Sequence, residues 1–168
     1  VRAEVWPMCG FNCLRWSVRE GSILYTMPGW ETNPVPTRSG HPLLFPFPGR
    51  LRDGKLPANG KTFQLPLNDS TKQHAIHGFT PRNPWRLSGM VAKPDRASIS
   101  GSFDLPTDLP SAVGLWPSDF ALSVTYTLFA DRLVVDANVL NRGTERLPFG
   151  LGYHPYFRLP DRKSTRLN

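Results

Sequence analysis

The sequence holds only two cysteines, Cys9 and Cys13, among 168 residues. Placed on one strand, four positions apart, their Cα atoms lie about 13 Å from each other, beyond the ~7 Å reach of a disulfide. A disulfide-stapled scaffold is excluded, and two free thiols point to a reducing compartment, the cytoplasm. No apolar run approaches the roughly 20 residues of a transmembrane helix, so no membrane partner is expected. Long helix-forming windows are missing as well. The 18 prolines interrupt the chain throughout, which argues against a helical bundle. No histidine pair has metal-helix spacing, and no cysteine or carboxylate cluster supports one, so no metal is expected. Neither a nucleophile elbow nor a Gly-rich phosphate loop occurs, and no cofactor is expected.

Acidic charge is the scarcer sign: 13 Asp and Glu face 20 Lys and Arg, a net charge of +7. The arginines are scattered singly, with no basic stripe and no aromatic RNA-binding motif. They read as solvated surface charge, and nucleic acid is not an expected partner. Residue 1 is Val and opens directly into a strand-like run, so the start is expected to be interior to a longer protein, without a signal peptide. Residues 161–168 are polar and aperiodic. They resemble the in-frame translation of a short sequencing adapter and are expected to be non-native, following a partial domain over residues 1–160.

What the chain does have is short strand patterns between turn residues. Strands are expected over 3–8, 12–18, 22–25, 43–47, 61–65, 85–93 and 97–103, with a Pro-rich loop at 28–42 and a further loop at 106–117. The clearest signal is the pair 120–129 and 133–140. Leu122, Val124, Tyr126 and Leu128 share one face of the first arm, and Leu133, Val135, Ala137 and Val139 one face of the second. Period two in both arms, joined by Ala130-Asp131-Arg132, predicts an antiparallel hairpin with one buried face. Residues 148–156 start another extended segment. The sum is an all-β chain, a sandwich or barrel. As part of a domain it would leave open strand edges and incomplete cover over Leu122, Val124, Val135 and Val139.

The titratable candidates for chemistry are His41, His74, His77 and His154. His77 precedes a glycine, His154 lies between Tyr153 and Tyr156, and Arg50 follows the run Pro46-Phe47-Pro48-Gly49. Aromatic faces with a few directed polar groups suit a sugar, which has apolar C–H faces and a polar rim. Taken singly, each histidine also fits a structural role, and Arg50 a surface ion pair.

Taken together, four blocks carry a resemblance. Residues 40–55, 59–68, the run Ala75-Ile76-His77-Gly78-Phe79 with Pro84-Trp85, and His154 with Tyr156-Phe157 resemble, in order and spacing, the aldose 1-epimerase (galactose mutarotase-like) family over residues 1 to about 160. The resemblance implies an antiparallel galactose mutarotase-like β-sandwich, here truncated at its C-terminal side, with the sugar in an open cleft. It implies interconversion of the α and β anomers of an aldose such as glucose or galactose. It assigns His154 as the acid that protonates the ring oxygen, His77 as a second catalytic histidine that polarises the sugar, and Arg50 as a ligand of its hydroxyls. The family's base, a glutamate, matches no residue of this chain, so the 168 residues alone are expected to be inactive. Gly49, Gly152-Tyr153 and Arg158 depart from the family pattern. Those departures leave room for a hexose-phosphate 1-epimerase or a non-catalytic carbohydrate-binding module of the same fold.

Overall fold

The computed structural model describes residues 1–159 apart from Glu20 and Pro36. The expectation for 161–168 lies outside the described residues. Among the described residues the architecture is antiparallel β, in two principal sheets and three two-stranded ribbons. The first sheet joins β1 (Arg2–Trp6), β2 (Asn12–Val18) and β3 (Gly21–Ser22). The larger sheet has the order β12-β11-β10-β9, from β9 (Arg86–Lys93), β10 (Arg96–Asp104), β11 (Phe120–Leu128) and β12 (Leu133–Asn141).

The hairpin read from periodicity is present in register. Leu122 pairs with Val139, Val124 with Ala137, Tyr126 with Val135 and Leu128 with Leu133. Alternation places Phe120, Leu122, Val124 and Tyr126 on the buried face. These side chains join Phe11, Phe45 and Phe103 in one core. Leu122 and Val124 are therefore covered rather than left open, while Val135 and Val139 stay half-buried. Gly101 in β10 makes room for this packing: a Cβ there would lie 2.5 Å from the Phe11 ring.

The remaining elements are short. They are β4 (Leu43–Leu44), β5 (Arg50–Arg52), β6 (Lys55–Ala58), β7 (Lys61–Gln64), β8 (His74–Ile76) and β13 (Gly152–Tyr153). The ribbons are β4 with β13, β5 with β8, and β6 with β7. Three of these strands, β5, β6 and β8, fall where no strand is expected from sequence. The expected 106–117 loop carries a one-turn helix, Leu105–Asp108, and a 3-10 turn, Pro110–Ala112. Cys9 and Cys13 do not share a strand: Cys9 sits in the turn before β2. Both thiols are free and buried, and burial pushes that of Cys13 up to about 12.

Candidate active site

Two ribbons meet at the candidate site. In one, Arg50 pairs with Ile76, Leu51 with Ala75 and Arg52 with His74. In the other, Gly152 pairs with Leu44 and Tyr153 with Leu43. Backbone bonds extend both: the His154 N–H donates to Pro42 O at 3.0 Å, the Tyr156 N–H to Gly40 O at 2.9 Å, and the His77 N–H to Gly49 O at 2.9 Å. The chain on the two sides of β4 thus bonds to both the His77 and the His154 segments. A further bond, Gly150 N–H to Pro46 O at 2.8 Å, and the stacking of Phe47 on Trp116 at 5.6 Å fix the segment after β4 in place.

The rings of His77 and His154 lie edge to face, with centroids 6.1 Å apart and planes at 77°. His154 is exposed and stacks on Tyr156 at 4.8 Å. His77 is half-buried, and its backbone is left-handed, with φ of 65°. That conformation is uncommon outside glycine and is associated with functional sites. It continues into Gly78, φ 71°, where a Cβ would stand 2.1 Å from Phe45 O. Only glycine lets the chain pass the Phe45 carbonyl at this point.

The His77 Nδ1 accepts a hydrogen bond from the Gly49 N–H at 3.1 Å. An accepting Nδ1 puts the proton of the neutral ring on Nε2. Burial, followed by the charges of His154, Arg50 and Arg82, lowers the His77 pKa below 6.5, so the ring is neutral at physiological pH. His77 can therefore donate from Nε2 to an oxygen without adding a positive charge.

Arg50 is 56% exposed and forms an ion pair with Asp69, Nε to Oδ2 at 3.7 Å, whose own side chain is only 2% exposed. Asp69 also accepts from the Gln73 and His74 N–H groups and from the Thr71 hydroxyl. Burial opposes its ionisation, but the Thr71, His74 and Gln73 hydrogen bonds outweigh it, and the pKa falls from 3.8 to about 2.

Of the candidates read from sequence, Arg50, His77 and His154 come together. His74 lies at the other end of β8, where its Nδ1 accepts from the Asp53 N–H at 3.3 Å. His41 stacks on Tyr153 at 4.5 Å, behind the His154 strand, and burial lowers its pKa. Sequence reasoning missed Asp69, the Gly49 N–H and Arg82. The polar run Asn68-Asp69-Ser70-Thr71 is the one signal that could have flagged Asp69, because such residues bond their own backbone in turns.

The family profile of aldose 1-epimerase matches residues 20–168. YihR, an uncharacterized protein of Escherichia coli strain K12, is 34% identical over 115 residues, which make up 68% of this chain and 34% of YihR. A galactose mutarotase-like protein from Clostridium acetobutylicum matches with a TM-score of 0.81 and 27% identity, covering 94% of this chain and 48% of that one. The Slr1438 protein of Synechocystis sp. PCC 6803 matches with a TM-score of 0.78 and 28% identity, covering 92% of this chain and 50% of its own. The chain thus spans about a third of that curated relative and about half of each solved structure.

Proposed function

The chain belongs to the aldose 1-epimerase family, and from that premise we propose that the whole protein interconverts the α and β anomers of an aldose by acid–base opening and closure of the sugar ring. The observation that carries the reading is the His77–His154 pair, 6.1 Å apart, beside Arg50 and with His77 held neutral. His154, exposed and stacked on Tyr156, delivers a proton to the ring oxygen. The bond from C1 to that oxygen breaks, a base takes the proton of the C1 hydroxyl, and an open-chain aldehyde results. Rotation about the C1–C2 bond turns the aldehyde face, and the same transfers in reverse close the ring on the other anomer. His77 donates from Nε2 to a sugar oxygen, and Arg50 binds hydroxyls.

The resemblance assigns the base to a glutamate that none of these 168 residues matches, and we propose that residues 1–168 alone are inactive. No step needs a metal or cofactor. Two buried free thiols support a reducing compartment such as the cytoplasm.

A hexose-phosphate 1-epimerase is the second reading. One observation favours it: Arg82, an exposed guanidinium whose charge also reaches His77. Polarimetry of freshly dissolved α-glucose, α-galactose and glucose 6-phosphate separates the readings. Acceleration of a free aldose that is lost in His154→Gln supports mutarotation of neutral sugars. Acceleration confined to the phosphate ester supports the second reading. Sugar binding without acceleration, unchanged in His154→Gln, assigns a carbohydrate-binding module.

A further inference from the structure

We propose that Asp69 is a positioning residue for Arg50: a buried carboxylate at the base of the site that holds the Nε edge of the guanidinium and so leaves its terminal nitrogens for the substrate. The inference rests on the reading of Arg50 as a sugar ligand.

Three observations carry it. First, the pair is asymmetric: the carboxylate is 2% exposed and the guanidinium 56%. The buried partner is the fixed one, and the long exposed side chain is the one whose rotamers need restraint. Second, Asp69 is itself locked. Oδ1 accepts the Gln73 N–H at 3.0 Å and the His74 N–H at 3.1 Å, and Oδ2 accepts the Thr71 hydroxyl at 2.7 Å. Beside it, Asn68 accepts the Ile76 N–H at 2.7 Å through Oδ1 and donates to Ile76 O at 3.3 Å. The two side chains therefore grip both ends of β8. Third, β8 is the strand that pairs with Arg50 and leads directly into His77. One loop thus sets the strand that leads into His77 and, through a charge, the orientation of Arg50.

The charge and the loop can be separated. Asp69→Asn keeps an oxygen for the Gln73 and His74 N–H groups, and the Thr71 hydroxyl can turn to accept from the new amide. It removes the negative charge facing Arg50 and turns the acceptor at that position into an N–H donor. Asp69→Ala removes the loop contacts too and serves as the structural control.

The test has two arms. In ¹⁵N NMR of the whole protein, wild-type Arg50 should show a dispersed Nε–Hε resonance. In Asp69→Asn it should collapse toward the position of free arginine, while the His77 and Gly49 backbone amides keep theirs. In the whole protein, Asp69→Asn should raise KM for the aldose about fivefold, the scale of a partly exposed ion pair, with kcat within about twofold. In an Arg50→Ala background the same substitution should leave KM unchanged. An Arg50 resonance unaltered by Asp69→Asn, or an equal KM increase with and without Arg50, overturns the proposal. Absence of turnover in the wild-type protein defeats the mutarotase reading instead, and the NMR arm still decides whether Asp69 restrains Arg50.

Discussion

His77 and Gly49 exchange two hydrogen bonds: the His77 N–H donates to Gly49 O at 2.9 Å, and the Gly49 N–H donates to His77 Nδ1 at 3.1 Å. The reciprocal pair offsets a left-handed conformation at His77 that would otherwise cost on the order of 1–3 kcal/mol. It also selects the tautomer with its proton on Nε2. His77→Asn tolerates the backbone and retains a donor, but it loses the ring. In the whole protein we expect both weaker sugar binding and slower turnover, by about 10²-fold in kcat/KM. Wild-type kinetics in this variant would remove His77 from the mechanism.

Acid should loosen the fold through two histidines. His41 and His77 both have pKa values below 6.5, with burial the leading cause for each. The unfolded chain therefore takes up protons at a higher pH than the folded one. Their stabilising share is complete above about pH 6.5 and declines as the pH falls below it. Urea midpoints measured at pH 7.5 and 5.5 should drop toward acid, and the drop should shrink in His77→Asn. Asp69 acts lower: its contribution is present above 3.8 and is lost as pH falls toward 2.

Gly78 allows no side chain. Gly78→Ala would place a Cβ 2.1 Å from the Phe45 carbonyl oxygen, at a φ of 71°. The segment leading from His77 would have to shift, and we expect a loss of more than about 2 kcal/mol in unfolding free energy. Thermal melts of the two proteins check this; equal midpoints would mean that the close approach is not maintained in solution.

Leu122 is 1% exposed in the middle of the hairpin that pairs β11 with β12. Leu122→Ala should cost about 2–5 kcal/mol, as truncations in a packed core do. A loss near zero, by urea denaturation, would mean that this face is not covered in solution.

The hairpin was legible because nine-residue strands give the alternation room to repeat, while its register is a finding of the structure. The ribbons that build the site were not. Arg50–Arg52 and His74–Ile76 are three residues each, too short to show a period, and they pair across more than twenty intervening residues. The strand Lys55–Ala58 includes Pro57, which argues against a strand when read locally. Arg50, His77 and His154 were legible only through the family resemblance, since each alone fits a structural role. Asp69 was hidden for a different reason: its importance comes from burial, and burial of a carboxylate is a property of the folded loop.

In the proposed mechanism His154 moves a proton while His77 and Arg50 hold the sugar. Exchange NMR of an equilibrium mixture of aldose anomers tests it directly, with the whole protein at substoichiometric concentration. Cross-peaks between the α and β C1 protons should grow with wild-type protein. They should fall by about 10²–10⁴-fold in His154→Gln, the range of a lost general acid. Equal exchange in the wild-type protein and in His154→Gln would contradict the account.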